Sequence, residues 1–115
     1  MDPLSAPEFE RVVAESLDSL DDDLLRLMEN VMIVVEDQHP EEPDLLGLYE
    51  GIPLTERDSY GHLDLPDRVS IYRLPLCEMC SSHSELIDEI RITVIHEVAH
   101  HFGIDDERLE ELGWD

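Results

Sequence analysis

The sequence has few basic residues, few cysteines and no long apolar run. Only 7 of its 115 residues are lysine or arginine, against 30 aspartates and glutamates, so the formal net charge is −23. A field of that sign repels phosphate backbones and anionic lipid headgroups, which argues against binding to nucleic acids or membrane surfaces. The charge favours solubility, and it would also attract cationic peptides or divalent metal ions.

Signals for export and for membrane insertion are also lacking. The start of the chain has neither the basic segment nor the apolar run of a signal peptide, and no stretch reaches the ~18 apolar residues of a membrane span. The two cysteines, Cys77 and Cys80, are too few for a secreted disulfide scaffold. We therefore expect a cytoplasmic protein that folds as a single domain over residues 1–115.

Helices are predicted at both ends of the chain. Ser5 and Glu8 have the spacing of a capping box, which opens an amphipathic helix from residue 6 to about residue 20. A long C-terminal helix is predicted over residues 82–103, and it starts with a second capping box and ends at a glycine. Asp105 is a good N-cap for a short final helix.

The middle of the chain predicts a small sheet. The β-branched run at 31–37 is typical of a central strand covered on both faces, and 45–51 predicts a second strand paired with it as a hairpin. Residues 51–68 predict a functional or mobile loop. Residues 69–76 alternate apolar and polar positions and break at Pro75, a pattern typical of an edge strand.

The string His96-Glu97-Val98-Ala99-His100 lies inside the C-terminal helix. Residues four apart on a helix face the same side, so the two imidazoles can share one Zn²⁺. Glu97 is rotated by about 100° from His96, so it can reach a metal-bound water without being a ligand. As a general base it would take a proton from that water and pass it to the leaving amine. The motif therefore predicts hydrolysis of peptide or related amide bonds.

A catalytic zinc site needs a third protein ligand and an open fourth position. Gly103 lets the chain turn back after the helix, and Asp106 follows three residues later, where metzincin-type sites carry a histidine. Asp106 is therefore the predicted third ligand. Asp105 remains a rival, and Glu110 a more distant one.

Several other polar residues receive structural interpretations. Cys77 and Cys80 form a C-x-x-C, for which we predict a reduced pair rather than a second metal or redox site. Glu89 and Thr93 precede His96 on a similar helix face and are predicted to be solvated, with support of the imidazoles as the alternative. For the histidine at position 101, a surface or supporting role is predicted in preference to metal binding.

The sequence resembles the small bacterial zincin-like metallopeptidases, which are described as minimal zincins. The resemblance runs through VMIVVED, LLGLYEGIPLTER, LPDRVSIYRLPL and ITVIHEVAHHFGIDDERLEELGW, and the last segment is its most specific part. It implies an α+β domain with N-terminal helices, a small mixed sheet and a long C-terminal active-site helix. It also implies Zn²⁺ bound by His96, His100 and Asp106, with Glu97 catalytic.

The resemblance further implies how a peptide or protein substrate binds. In zincins an edge strand above the active-site helix pairs with the extended substrate, and the strand containing Ser70 and Tyr72 is predicted to do so here. No methionine follows Met79, so the methionine turn of larger relatives is missing, and nine residues follow Asp106. We therefore expect a shallow cleft, completed by the 51–68 loop or by a partner protein.

Two other functions remain open from the sequence. The first is a non-catalytic metal-binding or protein-interaction domain that keeps the zincin scaffold, and four protein ligands around the metal would favour it. The second is an acidic domain whose histidines are merely solvated. Glu97 favours the enzyme, because a purely structural metal site does not need a general base.

Overall fold

The computed structural model describes residues 1–51 and 66–114, which form five helices and a three-stranded mixed sheet. The helices are α1 (Ala6–Asp18), α2 (Asp22–Leu27), α3 (Arg73–Met79), α4 (His83–His101) and α5 (Asp106–Leu112), and the strands are β1 (Val31–Glu36), β2 (Gly47–Glu50) and β3 (Asp67–Tyr72). The predicted α+β class, with N-terminal helices, a small mixed sheet and a long C-terminal helix, is confirmed. None of the described helices is long and apolar enough to cross a membrane.

Both predicted helix starts are confirmed, but the two caps differ in detail. At α1, the Ser5 hydroxyl accepts from the Glu8 amide and the Glu8 carboxylate accepts from the Ser5 amide, each at 3.3 Å. The Ser5 hydroxyl also donates to the Glu8 carboxylate at 2.8 Å. This bond, and next the one from the Ser5 amide, lower the pKa of the Glu8 carboxyl. At α4, the Ser82 hydroxyl accepts from the Glu85 amide at 3.1 Å. The Glu85 carboxylate reaches one residue further back and accepts from the amide and hydroxyl of Ser81.

The strand order is β1-β3-β2, with β1 parallel and β2 antiparallel to β3. Two predictions are therefore wrong: β1 is not central, and β1 and β2 do not form a hairpin. An apolar run reports burial but does not specify which strands pair, because pairing is decided by contacts distant in sequence. The exposure of Met32, at 46%, agrees with an edge position for β1.

The prediction that β3 is an edge strand is also wrong. Main-chain hydrogen bonds join it to β1 on one side and to β2 on the other. Ser70 and Tyr72 are only 1% and 2% exposed, so neither offers a free strand edge or an open side chain to a substrate. Pro75 misled the sequence reading, because it lies in the first turn of α3, where a proline is tolerated, and not in the strand.

The hydrophobic core lies between the sheet and the helices. Val69 and Ile71 of β3 are fully buried and share one sheet face with Gly47 and Tyr49 of β2. Each large apolar side chain buried here contributes about 1.5–3 kcal/mol relative to exposure. The large aliphatic and aromatic side chains that are fully buried on the helices are Phe9, Leu24, Leu76, Leu86, Ile90, Val94, Val98 and Leu109.

Cys77 lies within α3 and Cys80 at its C-cap, and both are buried free thiols, which agrees with the predicted reduced pair. Burial raises the pKa of the Cys80 thiol to about 11, and the nearby carboxylates of Glu85 and Glu89 add to the effect. Because the thiolate is the reactive form, Cys80 is poorly suited to redox exchange or metal binding near neutral pH.

We expect both thiols to resist a water-soluble thiol reagent such as dithionitrobenzoate while the protein is folded. In denaturant the same sample should react at both positions, which serves as the internal control. Rapid stoichiometric labelling of native protein near neutral pH would contradict the interpretation of Cys77 and Cys80 as core residues.

Candidate active site

The two histidines of the helical motif face the same side of α4, as their spacing predicts. The rings of His96 and His100 lie 5.7 Å apart and nearly parallel, with an interplanar angle of 10°. Their side chains are 41% and 56% exposed, so both imidazoles are open to solvent and to a ligand.

A tight turn after α4 reverses the chain. Gly103 adopts a φ of 75°, in the left-handed region that favours glycine. Its amide donates to the His100 carbonyl at 3.1 Å, and the Ile104 amide donates to the Ala99 carbonyl at 2.8 Å. These two bonds form a Schellman motif, which satisfies the last carbonyl groups of the helix and directs the next residues back alongside it.

The turn delivers Asp106 to the histidines. The Asp106 Oδ1 atom lies 3.4 Å from His100 Nε2 and 4.0 Å from His96 Nε2. Asp105 instead caps α5, where its Oδ1 accepts from the Arg108 amide at 2.9 Å. Among the described residues, neither Asp105 nor Glu110 makes an ion pair or hydrogen bond with the two imidazoles. The structure thus brings together three of the predicted site residues and leaves the rival ligands elsewhere.

The donor set suits zinc in kind, since two imidazoles and one carboxylate are common zinc ligands. Two ligands at 2.0–2.1 Å from a tetrahedral zinc are about 3.4 Å apart, which equals the distance between His100 Nε2 and Asp106 Oδ1. The 4.0 Å between Asp106 and His96 is longer. Within residues 1–51 and 66–114, no group of three His, Cys, Asp or Glu side chains is drawn together tightly enough to form a complete metal site. The Asp106 side chain, 78% exposed, has room to close that gap.

Glu97 lies beneath β2, which crosses α4 at Gly47. A Cβ atom added at Gly47 would lie 2.5 Å from Thr93 Cγ2, 3.1 Å from the Ser70 carbonyl oxygen and 3.8 Å from Glu97 Cγ. Only glycine therefore permits this approach of strand to helix. The prediction that Thr93 is solvated is wrong, because it is 8% exposed and its hydroxyl donates to the Glu89 carbonyl at 2.8 Å.

The outer side of β2 is an edge of the sheet as far as the chain is described. A cavity of about 330 Å³ lies at the start of this strand, and His96 and Glu97 line part of it. Sequence reasoning missed this arrangement, because 45–51 gave no sign of which side of the strand would stay unpaired. The predicted loop at 51–68 lies for the most part outside the described residues.

His101 does not join the group formed by His96, His100 and Asp106, and its ring contacts the sheet instead. Its ring stacks on Tyr49 at 3.9 Å, and its Nε2 lies 3.7 Å from Asp67 Oδ2. The Tyr49 hydroxyl donates to the same carboxylate at 2.7 Å. Phe102, 44% exposed, contacts both rings edge-on. This cluster joins the end of α4 to β2 and β3. It could not be predicted from the spacing of residues in the sequence.

Comparison with known proteins identifies the family of this chain. The model of a family described as zincin-like metallopeptidase matches residues 28–114. The chain belongs to this family. No curated protein matches this zincin-like domain. Among solved structures it is similar to a conserved hypothetical protein from T. thermophilus, with a TM-score of 0.57 and 21% identity, over 96% of this chain and 100% of the other. At that identity the likeness shows a shared fold.

The contact at Gly47 gives a stability prediction. We expect Gly47→Ala to lower the free energy of unfolding by about 1–3 kcal/mol. Thr93 is a stiff β-branched residue, and its methyl group would have to move to make room. Gly51→Ala is the matched control: its Cβ would meet His101 at an ordinary 3.4 Å, and the cost should stay within about 0.5 kcal/mol.

Thr93→Ser removes the clashing methyl group and keeps the hydroxyl, so it should recover much of the loss in the double variant. Urea denaturation of the single and double variants measures the coupling. Additive effects of the two substitutions would show that Gly47 and Thr93 are not in contact.

Proposed function

We propose that this zincin-like domain is a zinc-dependent peptidase in which His96, His100 and Asp106 hold the metal and Glu97 is the general base. The proposal depends above all on Asp106, whose carboxylate oxygen lies within 4.0 Å of both imidazole nitrogens. The Gly103 turn and the Asp105 cap together fix its position at the start of α5.

The residues divide the work of peptide hydrolysis. A zinc ion bound by the three side chains would acidify a water molecule and polarise the substrate carbonyl. Glu97 takes the proton of the attacking water as the new carbon–oxygen bond forms. When the carbon–nitrogen bond breaks, Glu97 passes that proton to the departing amine. Glu97 is half-buried and its Cγ lies close to Gly47 of β2, so a peptide aligned along this strand would pass near it.

The outer edge of β2 is the element best placed to align that peptide. Main-chain groups along an unpaired strand edge can hydrogen-bond to an added strand, which gives affinity with little dependence on sequence. Because β2 crosses α4 at Gly47, a peptide added to it would pass over Glu97. This role replaces the one predicted for β3 with Ser70 and Tyr72, whose two edges are already occupied.

The third ligand can be tested with Asp106→Asn and Asp105→Asn, which each remove one negative charge at neighbouring positions. We expect Asp106→Asn to weaken zinc binding by about tenfold or more, because it removes an anionic ligand, and His100→Ala to abolish stoichiometric zinc. Asp105→Asn should bind zinc as the wild type does, since asparagine is also a good N-cap.

Elemental analysis of protein purified without a histidine tag, together with titration against a chromophoric chelator, measures both effects. Loss of zinc in Asp105→Asn but not in Asp106→Asn would identify Asp105 as the ligand. A wild-type chain that binds no zinc would refute the proposed metal centre.

The catalytic role of Glu97 is tested by Glu97→Gln. We expect this variant to keep its zinc and to lose peptide hydrolysis by about 10²–10⁴-fold, because glutamine cannot accept the proton. Glu107→Gln, an exposed position on α5, is the charge-matched control and should keep full activity.

A peptide mixture analysed by mass spectrometry before and after incubation reports hydrolysis without assuming a sequence preference. Equal activity of wild type and Glu97→Gln would remove Glu97 from the mechanism. A zinc-loaded wild type that cleaves nothing would favour the non-catalytic metal-binding domain.

A further inference from the structure

The cavity beside Glu97 has a mixed wall that suits a particular kind of side chain. Leu45, Leu46 and Ile92 supply apolar surface, and His96 and Glu97 mark the end nearest the proposed metal centre. The volume of about 330 Å³ lies at the lower end of the range for ligand pockets, about 300–1,000 Å³. It can therefore receive one long side chain of a peptide bound along β2.

Two further carboxylates line the same cavity. Asp44 precedes β2, and Glu89 lies on α4 two turns before His96. Neither side chain makes a hydrogen bond or an ion pair with another described residue. No arginine is present among the described lining residues. The cavity thus combines an apolar wall with negative charge that no arginine among its described lining residues neutralises.

Lysine and arginine side chains match this combination. They place their methylene stems along apolar surface and keep the charged end near water or an acidic group. An acidic substrate side chain would meet like charge from Asp44 and Glu89 and would be rejected. The chain itself contains no lysine, and its net charge of −23 attracts cationic peptides towards every part of its surface.

We propose that this cavity, lined by Asp44, Glu89 and Ile92, selects peptides with a lysine or arginine next to the bond to be cleaved. The inference rests on the proposed peptidase function and narrows its substrate class to basic peptides. Ile92 and the two leucines hold the stem, and Asp44 and Glu89 hold the cation. Glu97 remains free to act on the adjacent peptide bond.

The test uses two acetylated fluorescent peptides that differ only in lysine or norleucine at one position. Fluorescence anisotropy gives the dissociation constant of each, and mass spectrometry gives the cleavage rate in an equimolar mixture. We expect the lysine peptide to bind about fivefold more tightly, the size expected of two partly exposed ion pairs. The preference should shrink as salt is added.

Asp44→Asn with Glu89→Gln should remove the preference by weakening binding of the lysine peptide alone. Glu10→Gln with Asp18→Asn, at exposed positions of α1, also removes two negative charges. This control should leave the preference for the lysine peptide unchanged. Loss of the preference in both double variants would show that it arises from the net negative charge of the whole protein. That result would overturn the cavity as the source of the preference.

Carbodiimide coupling locates the bound amine. Because the chain lacks lysine, the side chain of the peptide and the amino terminus at Met1 are the only primary amines in the sample. We expect the lysine peptide to couple to Asp44 or Glu89. Coupling spread evenly over the carboxylates of the surface would overturn the proposal.

The two proposals fail in distinguishable ways. Cleavage without a preference for the lysine peptide would overturn the basic-peptide cavity and leave the peptidase standing. Selective binding of the lysine peptide without cleavage of any bond would overturn the peptidase and leave the cavity as a binding site for basic peptides. Equal binding of both peptides and no cleavage would overturn both.

Discussion

The contact between β2 and α4 at Gly47 determines the shape of the candidate site. With no side chain at Gly47, the strand backbone lies directly on the Thr93 methyl group and close above Glu97. Any larger residue would lift the strand and open a gap between the candidate base and the edge of the sheet. The stacked rings of Tyr49 and His101 hold the far end of the same strand against the helix. The strand is therefore fixed at both ends over the residues proposed to be catalytic.

The features that the sequence predicted correctly are those decided within a few residues. The Ser5 and Ser82 caps, the stop at Gly103 and the Asp105 cap each depend on hydrogen bonds between neighbours in the chain. The order of the strands depends on contacts between distant residues, and two strands were misassigned: β1 was predicted to be central and β3 to be an edge strand. The apolar run of β1 was mistaken for a central strand, whereas the polar Ser70 stood in the strand that is central. Because serine is common at exposed positions, nothing in the neighbouring residues indicates that Ser70 is buried on the second face of the sheet.

The candidate site likewise has features decided by neighbouring residues and features decided by contacts between distant residues. Helical spacing suffices to bring His96 and His100 to one side, and the glycine turn suffices to return Asp106 to them. The burial of Thr93 and the cavity wall around Asp44 could not be predicted, because both depend on where β2 crosses the helix. Sequence reasoning therefore proposed the candidate donors and the candidate base, and it missed the surface that would present a substrate to them.

Because all three proposed metal ligands come from one helix, its turn and the start of the next helix, metal binding depends little on the sheet. Alignment of a peptide depends instead on β2, a different element held by a different contact. A change at Gly47 would thus disturb substrate alignment while leaving the donors of α4 and Asp106 in place. A change at Gly103 would do the reverse, because it displaces Asp106 and leaves the strand where it is. If the proposed function holds, the two requirements of a metallopeptidase are met in this small domain by separate local structures that share only helix α4.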